Sequence, residues 1–402
     1  MALVTQTFNH KALARIAMVM AFIQFTNALE YMAFTPVFAF MADGFSVPVT
    51  FSGYVSGMYT LGAVLSGIAA FYWIHRFNKK RFLIKNMLLL GVLTFLSTLT
   101  ADFDTLLVLR FCAGLVGGTT MGVGISILIN AAPENLRGKM LATVIASFSM
   151  VSIVGMPAVL FLCTHYGWHT ALWLIGLLCL VSVPLIIFIL PGDAVPSDLK
   201  ASLSVNTRTL LFASCTALVQ FSPMLIIPIL TPLMMQFLGA QQHLLPLLFL
   251  SGGVAGYLAT KITGILTSRL SALMLATLST LLFVASLLIP ALGYHHAFLF
   301  ITLFLAASYS RLVSASSVAV RYPEDEQRAS FSSLQSAMMY LITTFAFFLC
   351  SLLLPEQGIT TQNLNRVLVV SALAASGFPI LVIILQKKLA KRAVPPDHPI
   401  VD

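Results

Sequence analysis

Residues 191–208 read Pro191-Gly192-Asp193-Ala194-Val195-Pro196-Ser197-Asp198-Leu199-Lys200-Ala201-Ser202-Leu203-Ser204-Val205-Asn206-Thr207-Arg208, the longest polar interruption in a chain that is otherwise a succession of apolar runs. Before it, runs long enough to cross a hydrocarbon core of about 30 Å fall near 12–41, 50–74, 82–100, 104–130, 139–164 and 169–190. After it they fall near 209–237, 244–266, 271–290, 297–319, 328–354 and 364–387. With 59% hydrophobic and 9% charged residues and a mean hydropathy of +0.96, the chain lacks the roughly 25% of charged residues that a soluble domain carries. The expectation is an all-α integral membrane protein with twelve transmembrane helices in two six-helix bundles: residues 1–190, a cytoplasmic linker 191–208, and residues 209–402 ending in a short basic tail.

Basic residues gather in alternate loops: Lys11 and Arg15; Arg76, Lys79, Lys80 and Arg81; Arg137 and Lys139; Lys200 and Arg208; Arg269; Arg321; and Lys387 to Arg392. The opposite loops hold Asp43, Asp102, Asp104 and Glu356, with Arg366 as their one basic residue. By the positive-inside rule both termini are cytoplasmic, and the net charge of +9 is an orientation signal, with no call for nucleic acid. The first apolar run far exceeds the about 7–15 residues of a secretory signal, so it is expected to stay in the mature protein. Cys112, Cys163, Cys179, Cys215 and Cys350 show no pair spacing for a metal or redox site and read as packing residues. No cofactor or metal is implied, and no paired catalytic groups point to an enzyme. A glycine-rich phosphate loop is absent from the sequence, so uphill movement of a solute would draw on an ion gradient.

The two halves resemble each other. Gln24-Phe25-Thr26 matches Gln220-Phe221-Ser222, and Thr35-Pro36 matches Thr231-Pro232, both displaced by 196 positions. Pro133-Glu134-Asn135-Leu136-Arg137 likewise pairs with Pro323 to Arg328, each between the fourth and fifth spans of its half. Two similar bundles enclose a central cavity that opens to either side when they rock.

Three further stretches carry a family likeness. They are the basic loop His75-Arg76-Phe77-Asn78-Lys79-Lys80-Arg81, the fourth-span run Arg110-Phe111-Cys112-Ala113-Gly114-Leu115-Val116-Gly117-Gly118, and Gly155-Met156-Pro157 in the fifth span, followed by Tyr166-Gly167-Trp168-His169. With the repeat, they resemble the major facilitator superfamily, and most of all its twelve-span drug/proton antiporter branch. His75 stands where that family's loop carries Asp, Asn78 where it carries Gly, and Ala113 where Gln precedes the first glycine. The resemblance implies a bacterial inner-membrane transporter, usually monomeric, in which His75, Arg76, Lys79, Lys80, Gly155 and Pro157 serve gating.

The chemistry centres on Glu30, the lone acid deep inside a span. A carboxylate there must be protonated, paired or open to water. Arg110 in the fourth span lies at comparable depth, roughly 10 Å from its outer end against roughly 16 Å for Glu30 at about 1.5 Å per residue. Pairing favours the ionised carboxylate, and separation in an apolar cavity favours the protonated one. Glu30 and Arg110 are therefore the proton-coupling candidates. Gln24, Asn27 and Tyr31 share one stripe of the first span, with Glu30 beside it. With Phe34, Gln220, Met224 and Arg311 they form the candidate substrate site, and Pro223, Pro228 and Pro232 are expected to break the seventh span. Two functions follow: proton-coupled efflux of small amphipathic molecules or drugs, or proton-coupled or passive uptake of a specific metabolite, anionic where Arg110 and Arg311 hold it.

Overall fold

A helix satisfies its own backbone, which hydrocarbon cannot do, so each apolar run folds as one. A computed structural model describes residues 10–73, 78–131, 133–192, 206–323, 328–354 and 358–393. The first half comprises α1 (His10–Met41), α2 (Ser52–Trp73), α3 (Lys79–Leu99), α4 (Phe103–Gly117) continued by α5 (Thr120–Ala131), α6 (Glu134–Met150) continued by α7 (Met156–Tyr166), and α8 (Trp168–Ile189). The second comprises α9 (Thr207–Ile226) continued by the short α10 (Leu230–Pro232), then α11 (Leu245–Leu266), α12 (Ala272–Ala291), α13 (Ala297–Ala319), α14 (Arg328–Leu353) and α15 (Thr361–Ala393). This is the expected all-α membrane architecture of two six-span bundles, and the protein is a multi-pass membrane protein. Among the described residues eleven segments meet a length and hydropathy threshold for spanning. The remaining helix, α2, packs between α4 and α14.

Several span starts are fixed by local chemistry. Asn78, Asp102, Asn206 and Ser271 each accept a hydrogen bond from the backbone N–H three residues on, at 2.8, 2.8, 2.8 and 3.2 Å, which satisfies donors that the first helical turn leaves bare. At Asp102 these bonds, with one from the Thr105 hydroxyl, hold the carboxyl below its ordinary range. Gly167 takes a φ of 85° between α7 and α8, a backbone shape that side-chain-bearing residues rarely adopt. As expected, the seventh span is interrupted: α9 gives way to a 3₁₀ turn at Ile227–Ile229, and α10 to a π turn at Leu233–Phe237. The fifth span carries a π turn at Val151–Gly155 just before Met156 and Pro157.

Buried apolar side chains among the described residues form three clusters. One is shared by both halves and lies toward the face where α1 ends and α2 begins, with Phe34, Phe38 and Val55 packed with Ile226, Phe300 and Ala346. The other two lie toward the face bearing the chain's ends. One draws its buried members from the first half (Ile16, Met20, Leu128) and the other from the second (Phe212, Val318, Val382). The halves are thus fused on one side, and their cores separate on the other.

Glycines set the α2–α4 spacing. A methyl group on Gly114 would overlap the carbonyl of Tyr59, and one on Gly62 would overlap that of Phe111, so the two helices meet backbone to backbone. Gly118 sits likewise against Ala63, whereas Gly122 faces open space. Gly114→Ala should therefore lower stability by about 1–3 kcal/mol through overpacking, and Gly122→Ala should stay within about 0.5 kcal/mol of the parent, as read by reversible unfolding of the detergent-purified protein.

Candidate functional site

The backbone approach of α2 to α4 brings Tyr59 over Arg110. The guanidinium carbon lies 3.7 Å from the Phe34 ring centroid and 4.7 Å from that of Tyr59, a cation sandwiched between aromatic faces. Its Nη1 donates to Glu30 Oε1 in a short ion pair. Both residues are 0% exposed, and Thr94 of α3 lies beside the carboxylate. Glu30 Oε2 and Arg110 Nε and Nη2 make no hydrogen bond among the described residues. A buried ion pair of this kind offsets a desolvation cost of several kcal/mol per ion only while both partners are present.

Beside this pair, Tyr31 stacks on Tyr59 with ring centroids 5.0 Å apart, and Tyr340 of the second half meets Tyr31 edge-on at 6.3 Å. Tyr31 also lines a cavity of about 80 Å³ between the halves. The first half contributes Tyr31, Met32, Thr35, Pro36, Ser152 and Met156 to its wall, and the second contributes Met224, Ile227, Leu230, Phe249, Leu305, Tyr309 and Phe347. The wall has no carboxylate, histidine, lysine or arginine, and its polar groups are the hydroxyls of Tyr31, Thr35, Ser152 and Tyr309. Three of these are engaged: Thr35 bonds Ser56 at 2.7 Å, and Ser152 bonds Tyr309 across the halves at 2.9 Å.

Of the residues singled out from sequence, Tyr31 and Met224 line the cavity. Glu30, Arg110 and Phe34 form the adjoining ion-pair core, with Asn27 and Gln24 below on α1. Gln24 Nε2 donates to the Thr120 carbonyl at 3.3 Å. Gln220 is half-buried, with an unpartnered Oε1. Arg311 lies inside the second half, 1% exposed, donating to the Ser222 hydroxyl at 3.1 Å and the Ala375 carbonyl at 3.3 Å between the rings of Phe283 and Phe378. It has no ion pair among the described residues and no place in the cavity wall. Gly155 abuts Leu29 and Phe25 of α1, and Pro157 opens α7. Lys79 donates to Ser126 at 2.7 Å, and Lys80 to the last carbonyls of α8, at 2.9 Å on Ile187 and 2.6 Å on Leu190. His75 and Arg76 lie outside the described residues. Tyr59, Ser152 and Phe249 were not singled out from sequence. Only the small-residue stretch around Gly155 pointed near one of them.

The fold is the major facilitator fold. A solved structure of a bacterial homologue of the human lysosomal transporter Spinster, inward-facing and occupied, superposes with a TM-score of 0.76 over 97% of this chain and 100% of that one, at 15% identity. The nucleoside transporter NupG, solved as a single-residue mutant, does so at 0.73 over 93% and 99%, at 13% identity. A family model of the Major Facilitator Superfamily matches residues 20–211. Similar sequences include the uncharacterised MFS-type transporter YtbD of Bacillus subtilis, 25% identical over 54% of this chain and 56% of that protein. A probable sugar efflux transporter of Mannheimia succiniciproducens is 26% identical over 48% and 50%. The 4-hydroxybenzoate transporter PcaK of Pseudomonas aeruginosa is 26% identical over 45% and 40%. The chain spans about half the length of the curated relatives it matches. Together these findings show the major facilitator fold and a likeness in sequence to Major Facilitator Superfamily transporters over about half of the chain.

Removing one partner of the ion pair should cost far more than removing both. Arg110→Met is expected to destabilise by about 3–5 kcal/mol, and Glu30→Leu with Arg110→Met together by clearly less than the summed singles. A double-mutant cycle from denaturant unfolding in detergent reads that coupling.

Proposed function

We propose that this chain is a secondary transporter working by alternating access, which exchanges protons for small amphipathic organic molecules and moves them outward. The observation that carries the reading is the Glu30–Arg110 pair, wholly withdrawn from water and one stacked tyrosine pair away from the cavity between the halves. A carboxylate so placed has two stable conditions in an apolar surround: ionised against Arg110, or protonated and alone. Moving between them takes up or releases one proton, and a shift of the Tyr31–Tyr59 stack by cargo or by rocking is the lever that parts the pair. The cavity's methionine and aromatic wall suits an amphipathic cargo.

Under this reading the face carrying the termini is cytoplasmic, in a bacterial inner membrane, because it collects the basic loop residues. The fused side is then external and the cores part toward the cytoplasm, an inward-facing arrangement. Alternating access requires the 191–208 linker to join two bundles that move as units, and a monomer suffices for this. The second reading, uptake of an anionic metabolite, draws on Arg311, a buried cation without an acid partner among the described residues.

Inverted membrane vesicles containing the protein should accumulate ethidium when acidified inside, and Glu30→Gln should abolish the accumulation. Full-rate accumulation by Glu30→Gln would sink the proton role. Uptake of 4-hydroxybenzoate that ignores a pH gradient and is lost in Arg311→Gln would establish the second reading instead.

A further inference from the structure

The seam between α2 and α14 crosses the halves as a ladder. Nearest the fused side, the Ser351 hydroxyl donates to the Thr50 carbonyl at 2.6 Å, and a methyl group on Gly53 would overlap the Phe347 carbonyl. One turn along, Gly57 lies against the Phe348 ring, and the Thr344 hydroxyl then donates to Thr60 Oγ1 at 2.8 Å. A turn beyond Thr344 comes Tyr340. Further along α14, Leu334 and Met338 pack against the second half's own core, so Tyr340 stands where the shared core gives way to separate ones. It also crosses over: of the described side chains packed against the first half's separate core, Tyr340 is the one that the second half contributes. Its ring meets Tyr31 edge-on, Tyr31 stacks on Tyr59, and Tyr59 covers the Arg110 guanidinium that pairs with Glu30.

We infer that Tyr340 is the residue through which the second half acts on the Glu30–Arg110 pair, a positioning residue that couples the rocking of the halves to proton exchange. The inference rests on the proposed proton role of Glu30. A neutral Glu30 leaves Arg110 without its counter-charge in a space closed to water, so the guanidinium must seek other partners. It cannot move without displacing the Tyr59 ring that covers it. Interiors are too densely packed to leave gaps, so a displaced Tyr59 carries Tyr31 with it, and Tyr31 carries Tyr340. In the reverse direction, a tilt of α14 presses on the stack and alters the hold of Arg110 on Glu30, the reciprocity that linkage demands. The titratable or charged groups around Glu30 among the described residues are Arg110 from α4, Tyr59 from α2, Cys179 from α8 and Tyr31 beside it on α1. None of them belongs to the second half, whose path to the pair is ring contact through Tyr340.

The test uses the full chain in detergent and needs no cargo. Spin labels on Arg81→Cys and Ser268→Cys, exposed positions at the parted ends of α3 and α11, report the distance between the halves as the pH is lowered. Infrared spectroscopy follows, in the same samples, the protonated carboxyl C=O band that disappears in Glu30→Gln. In the parent the distance should shift along with the carboxyl band, and Glu30→Gln should remove the shift. Tyr340→Ala should keep the band and lose the shift in distance, whereas Tyr340→Phe, which retains the ring, should behave as the parent does. A merely structural role would change stability without separating the two readouts. If Tyr340→Ala fails to fold, Tyr340→Leu replaces it with the same expectation. A shift of parental size in the folded Ala or Leu variant, or a parent whose carboxyl titrates with no change in distance, overturns the coupling role and leaves Glu30 as proton carrier. The absence of any carboxyl band sensitive to Glu30→Gln overturns both.

Discussion

One constraint governs the first half of this molecule: a guanidinium and a carboxylate share a space that water does not reach. Either charge alone would cost several kcal/mol in such a surround, so everything about Arg110 and Glu30 must keep them together or give each another way to lose its charge. Arg cannot release its proton at any ordinary pH. The burden falls on Glu30. The glycines of α4 follow from the same constraint, because only a backbone-to-backbone approach of α2 lets the Tyr59 ring cover the cation and exclude solvent. Tight helix packing, an aromatic lid and a titratable acid are therefore one arrangement seen from three sides.

Much of this was legible in the sequence, for a physical reason. Hydrocarbon imposes length and polarity on every span, so the helices fall close to where hydropathy placed them. A charge inside a span is so costly that Glu30 and Arg110 point to each other from sequence alone. Pro228 and Pro232 of the seventh span marked its broken course in the same way, whereas Pro223 is accommodated inside α9. What stayed hidden were residues whose chemistry is ordinary until a partner is known. Tyr59 is one of ten tyrosines, and nothing in α2 distinguishes it until α4 comes within backbone contact. The Ser152–Tyr309 bond joins residues 157 positions apart on different halves, a register that no local pattern encodes. Gly122, four residues beyond Gly118, faces open space, a difference that spacing does not reveal.

The cavity and the ion pair divide the labour that the sequence had merged. Gln24, Asn27 and Glu30 read as the floor of a substrate site, yet they sit behind Tyr31, which alone of that stripe reaches the cavity wall. The cavity presents hydroxyls, methionines and rings, while the charges stay one layer back. The same separation holds in the second half, where Arg311 is withdrawn among Phe283, Phe378 and Ser222.

The links across the fused side have a consequence of their own. The halves are joined by Ser52 to the Pro228 carbonyl at 2.5 Å, Ser351 to the Thr50 carbonyl at 2.6 Å, Thr344 to Thr60 at 2.8 Å and Ser152 to Tyr309 at 2.9 Å. All four are bonds between uncharged groups, each worth about 0.5–1.5 kcal/mol net. A latch made this way has no electrostatic component for salt to screen, and its bonds can be surrendered one at a time as the bundles tilt. Under the proposed alternating access, the closed and open shapes can then lie within a few kcal/mol of each other, the near-balance in which the single proton proposed for Glu30 decides which of them prevails.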